Sequence, residues 1–160
     1  MRPNGPRRRV LEALKKARAL NLIEPHGRLE HHALAEAVLH QIRATWIALL
    51  RQVGHAHGLK PSAVNHISDL TEQLSHRNLI SLEAQKLQAL VNNPSSWWSQ
   101  YQSHIDTVEC LSESSKKDAV DLIPLGNQIT VEQIESDRYK VWINCLAELV
   151  DEYQMHFDES

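Results

Sequence analysis

Glycine is scarce in this chain, five in 160 residues. That scarcity works against phosphate-cradling loops, which depend on backbone free of Cβ atoms. Neither G-x-x-x-x-G-K-[ST] nor G-x-G-x-x-G occurs, and H-E-x-x-H and G-x-S-x-G are missing as well. Only two cysteines are present, Cys110 and Cys145. Their separation makes no C-x-x-C, so neither a zinc ribbon nor a disulfide framework is indicated. No stretch approaches the run of about 18 apolar residues that a membrane span needs. The basic start leads into Leu11-Glu12-Ala13-Leu14-Lys15-Lys16, which is no signal-peptide core. Few regular turn signals appear, so an all-β reading has little support.

What is present is ordinary for one globular domain. Hydrophobic residues make up 42% and charged residues 23%, and a chain of this length buries enough surface for a core without metal or disulfide support. The whole chain, 1–160, is expected to be a single helical domain in a reducing cytoplasm. Both thiols fall on apolar helical stripes and read as small structural hydrophobes.

The net charge of −3 hides an asymmetry. Residues 1–20 hold seven basic groups against the single acid Glu12, a net +6, which leaves −9 on the remaining residues. A basic end on an acidic body suits phosphate recognition. The run is short and lacks interleaved aromatics, so it is read as a solvated terminus.

Pro3, Gly5 and Pro6 make residues 1–6 a flexible lead. Val10, Leu14 and Ala17 then recur at helical spacing within a first helix from Arg7 to Asn21, and Glu24-Pro25-His26-Gly27 ends it. From Leu29 to His57 the residues Leu34, Val38, Ile42, Trp46, Leu49 and Val53 step by four, four, four, three and four, one apolar face over about eight turns. Gly58 and Pro61 stop this second helix. Pro61 or Ser62 opens a third, with Ala63, Ile67, Leu70 and Leu74 inward. Ser81 caps a fourth, carrying Leu87, Leu90 and Val91. Ser95 or Ser96 caps a fifth, whose face is Trp98, Tyr101, Ile105 and Val108. Residues 112–128 read as a mobile loop. Thr130 with Gln133 matches a capping box before a last helix, which carries Ile134, Trp142, Cys145, Leu149 and Tyr153. Long helices with one apolar stripe each bury those stripes against one another, so the fold class is all-α, an antiparallel bundle of five to six helices.

Ten histidines are the compositional oddity. His32, Glu36 and His40 line one helical face and are suitable ligand types for zinc or iron. They rise about 12 Å from first to last, too far for one coordination sphere, so a solvated face is the simpler reading and no cofactor is expected. Trp46 and Trp142 fall on core stripes. Trp97 and Trp98 are adjacent and cannot face the same way, so one anchors the helix and the other lies at an edge, a candidate contact for a partner.

Arg51 and His57, with His55 between them, resemble the Arg-and-His motif of HEPN ribonucleases, helical proteins in which the pair converges on RNA across a dimer interface. The resemblance implies a guanidinium on the phosphate and an imidazole moving a proton. Gln52 departs from the small polar residue that family favours after the Arg, and a polar helix end explains the pair equally well.

Over most of its length the chain resembles a bacterial family of small helical proteins known only as a domain of unknown function. The residues that carry this are Leu11 to Ala17, the His/Ala/Leu-rich second helix through Trp46 and Arg51, Pro94-Ser95-Ser96-Trp97, and the final helix with Trp142. The resemblance implies a helical fold in a bacterial cytoplasm and supplies no catalytic residue. The expected function is a non-enzymatic module acting through protein–protein contact or self-association. Its partner is a protein, not a membrane or nucleic acid, and no small-molecule substrate is identifiable. A HEPN-like ribonuclease and a metal-binding bundle are the alternatives.

Overall fold

The step of four along Val38, Ile42 and Trp46 puts these side chains on one helical face. In the computed structural model that helix, α2 (Arg28–Ala56), is the spine of the fold. The structure describes residues 5–118 and 128–159, with side chains over 5–110 and 135–158. Around α2 stand α1 (Gly5–Asn21), α3 (Ile67–His76), α4 (Leu82–Asn92), α5 (Trp97–Asp118) and α6 (Gln128–Glu159). A 3-10 turn, Pro61–Ala63, precedes α3, and no strand occurs among the described residues. The all-α bundle is therefore observed. No helix is long and apolar enough to cross a membrane among the described residues.

The core follows the stripes. Val10, Leu14 and Ala17 of α1 are buried, as are Val38, Ile42, Trp46, Leu49 and Val53 of α2. Aromatic rings tie α2, α5 and α6 together. Trp46 stacks on Trp98, Trp98 leans on Tyr101, and Tyr101 meets Trp142 edge-on. The buried hydroxyl of Tyr101 donates to the Leu39 carbonyl at 2.7 Å, and that of Tyr153 to the Glu83 carbonyl at 3.0 Å. Each ring thus buries its apolar body while its polar tip is satisfied.

Two helices end alike. Gly58 (φ 79°) and Asn78 (φ 54°) adopt the left-handed conformation after α2 and α3. The next amides, of Leu59 and Leu79, each reach back five residues, to the carbonyls of Gly54 and Leu74, both at 2.9 Å. This is the Schellman arrangement, which satisfies carbonyls that a helix end leaves open.

Four boundaries differ from the sequence expectation. The first helix starts at Gly5, two residues early, because Pro is tolerated in a first turn where its missing N–H costs nothing; residues 1–4 lie outside the described residues. The third element is broken: its opening turn, Pro61–Ala63, is 3-10 and α3 begins only at Ile67. Ala63 is exposed and Val64 is buried instead. Side chains cause the break. Arg51 draws the Val64 carbonyl, and the Asp69 carboxylate accepts from the amides of Asn65 and His66, capping α3 in place of a continued ladder. Those two amide bonds hold the Asp69 carboxyl below its ordinary range. In the segment expected to be a loop, α5 continues to Asp118; residues 119–127 lie outside the described residues. Finally, α6 starts at Gln128, so Thr130 sits inside its first turn and does not precede it.

The thiol reading is corrected in part. Cys110 is exposed, about half a turn around α5 from the buried face that Tyr101 and Ile105 define, and Cys145 is only partly covered. Burial pushes the Cys145 thiol up, which suits an inert side chain.

Candidate functional site

Antiparallel pairing of α1 with α2, through the short connection 22–27, brings the basic start of the chain beside the C-terminal half of α2. Along that seam runs an open cleft of about 530 Å³. Its α1 wall is Pro6, Arg9, Glu12, Ala13 and Lys16; its α2 wall is Gln41, Ala44, Ala48, Arg51 and His55, with Pro61 at one end. These residues share faces because they recur at three and four positions along each helix.

The cleft is cationic at its margins and apolar between them. Arg9, Lys16 and Arg51 contribute three positive charges against the one carboxylate of Glu12. Glu12 is already engaged, with the Arg8 guanidinium 2.7 Å from its oxygen, and this contact holds its carboxyl below the ordinary range. Arg9 and Lys16 are exposed, whereas Arg51 is half-buried and fixed. The Arg51 Nε donates to the Val64 carbonyl at 3.0 Å and its Nη2 to Asn65 Oδ1 at 2.8 Å. A guanidinium has five N–H donors, and these two bonds fix Arg51 and use two of the five. Ala13, Ala44 and Ala48 leave the middle of the cleft free of long side chains.

Of the Arg and His residues singled out from sequence, Arg51 and His55 line this cleft and His57 does not. His57 is the C-cap of α2, half-buried, with its amide donating to the Gly54 carbonyl at 3.0 Å. His32, Glu36 and His40 are all exposed. No group of three or more His, Cys, Asp or Glu side chains able to hold a metal ion occurs among the described residues. The neighbouring His31 is held, its Nε2 lying 3.2 Å from Glu135 Oε2. Of the tryptophan pair, Trp98 is 7% exposed and belongs to the core, so it cannot offer itself to a partner. Trp97 lies at the edge, half-buried, its ring edge-on to Trp98 at 5.8 Å.

Sequence reasoning missed Arg9 and Lys16 as cleft residues, because they were read only as part of a charged terminus. Their seven-residue separation on one face of α1 was the available signal; the partner face on α2 was not, since the pairing of the helices is tertiary. A second polar feature also escaped notice: the His104 Nε2 and the Tyr139 hydroxyl are hydrogen-bonded at 3.0 Å where α5 meets α6. Burial lowers the His104 pKa and raises that of Tyr139.

No family model, curated protein or solved structure matches this chain.

Proposed function

We propose that the protein is a non-enzymatic binding module of the bacterial cytoplasm that works through protein–protein contact or self-association. The cleft between α1 and α2 carries this reading: it is open, lined by small apolar side chains and by three cations, and not covered by the other described residues. Such a surface recognises by shape and charge, with Arg51 already oriented. Exposed Leu22 and Leu29 at one connection, and Ile80 and Leu82 at another, add apolar contact area for self-association. The two free thiols suit a reducing compartment.

Site-specific photo-crosslinking tests the proposal. A photoreactive phenylalanine at Ala44, which is exposed within the cleft, should give one discrete protein adduct in cells, identifiable by mass spectrometry. The same group at exposed Ser68 should give none. Sedimentation at micromolar concentration separates a heterologous adduct from a second copy. A strict monomer with no adduct at Ala44 sinks the module reading.

A second reading, a ribonuclease of HEPN type, draws support from Arg51 and His55 sharing one cationic cleft. Here the guanidinium would hold the phosphate and the imidazole would transfer the proton. Labelled single-stranded RNA incubated with the protein and with His55→Ala and His57→Ala decides it. Equal cleavage by all three proteins, or none by any, removes this reading.

A further inference from the structure

The cations of the cleft stand on different turns and on both walls. Arg9 and Lys16 are seven residues apart on α1, about 10 Å of axial rise, and Arg51 faces them from the other wall. A single phosphate or carboxylate matches cations set on successive turns less well than an extended partner does. A row of acids with the same spacing matches them, and two turns of a helix supply that spacing when acids recur every seven residues. The α2 wall, from Gln41 to His55, is about 21 Å long, the length of a helix of some four turns. Between the cations Ala13, Ala44 and Ala48 allow close approach of another backbone. Among the described lining residues there is no Phe, Tyr or Trp, so the broad stacking platform that single-stranded nucleic acid uses is reduced to the one imidazole of His55. The chain itself shows the pairing at small scale: Arg7, on the same basic helix, holds Asp158 of α6 at 2.7 Å.

From this geometry we propose that the cleft receives an acidic amphipathic helix of a partner protein, laid along α1 and α2 with its small apolar face on the alanines and its acids on Arg9, Lys16 and Arg51. The assignment rests on the binding-module reading and names its occupant. Groove recognition of this kind takes its orientation from the apolar face and its register from the charges. Arg51, held by Val64 and Asn65 before any ligand arrives, loses little freedom on binding.

The test uses a fluorescein-labelled helical peptide of about four turns, with Glu at seven-residue intervals and Ala and Leu on one face, against the full chain. Fluorescence anisotropy should give saturable binding that weakens as salt is raised. A scrambled peptide of the same composition should bind roughly tenfold or more weakly, and so should the intact peptide to Arg9→Glu/Lys16→Glu. Both replaced side chains are exposed, and circular dichroism of the double variant checks that it is folded. The milder Arg9→Gln/Lys16→Gln should fall between. No binding of the helical peptide, equal binding of the scrambled one, or tighter binding of a labelled oligouridine overturns the proposal. If the peptide fails while the Ala44 crosslink still captures a protein, the occupant is wrong and the module reading stands. If both fail, both readings fall.

Discussion

The indole of Trp46 on α2 stacks on that of Trp98 on α5, with ring centroids 4.0 Å apart and planes 16° from parallel. Both rings are nearly inaccessible, 4% and 7% exposed, and Trp98 passes the contact on to Tyr101 at 4.9 Å. This pair joins α2 to the later half of the chain, and its loss would open the middle of the core.

Trp46→Ala should therefore cost roughly 3–5 kcal/mol, from lost transfer energy and the cavity left behind. That is a large share of a total near 5–15 kcal/mol. Trp97→Ala should cost far less, since that ring is half-exposed and touches the stack only at its edge. Urea midpoints of the two variants check this. A larger shift for Trp97→Ala than for Trp46→Ala would show that α2 faces the wrong way.

Gly54 sits inside α2 where the chain folds back. A Cβ there would lie 3.3 Å from Val64 Cγ2 and 3.4 Å from Leu59. Alanine would gain up to about 1 kcal/mol of helix propensity over glycine, and the tight contact with Val64 should cancel most of it. Gly54→Leu has no such relief and should lose about 1–3 kcal/mol by overpacking. Thermal melts of both variants separate the two effects, and a Gly54→Leu protein as stable as the parent would mean that the 59–64 turn does not pack on α2.

The pH response should depend in part on His104. Burial keeps its folded-state pKa below the ordinary 6.5, with Glu135 opposing and Arg138 assisting. As the pH falls through about 6.5 the unfolded chain takes up this proton first, so stability drops on acidification and is complete above that value. Protonation also meets the Tyr139 hydroxyl, whose pKa burial raises. His104→Gln can keep a hydrogen bond to Tyr139 while removing the titration. Between about pH 7 and pH 5.5 the denaturant midpoint of the variant should fall less steeply than the parent's. Parallel slopes would show that His104 does not contribute.

The helices and most of their inward faces were legible because periodicity is a local property. Val38, Ile42, Trp46, Leu49 and Val53 all proved buried, and Ser81 caps α4 by accepting from the Ala84 amide. What failed depended on contacts distant in sequence. The helix expected from Pro61 breaks at Val64 because Arg51, thirteen residues earlier, claims its carbonyl. The cleft was only half legible for the same reason. The charges of residues 1–20 and the Arg51–His55 segment stood out separately, and only the packing of α1 on α2 joins them into one surface. Cys110 is different: nine residues after Tyr101 it lies about half a turn around α5 from the buried face, so helical periodicity itself places it outward.

The buried amides of Gln52 and Gln154 make the last case, and their pairing is not legible in the sequence. Each donates its Nε2 to the other's Oε1, at 3.0 and 2.8 Å, in a reciprocal pair between α2 and α6. Gln52 is 6% and Gln154 7% exposed, so water cannot stand in for a lost partner. Gln52→Leu alone should leave the Gln154 amide unsatisfied at a cost of about 1–3 kcal/mol. The double change Gln52→Leu/Gln154→Leu removes both polar groups at once and replaces them with side chains of similar size, so it should recover much of that loss. A double-mutant cycle by urea unfolding measures the coupling, expected at about 0.5–3 kcal/mol in favour of the matched pairs. Additive losses, with the double variant worse than either single one, would mean that the two amides do not depend on each other and that α6 sits differently against α2.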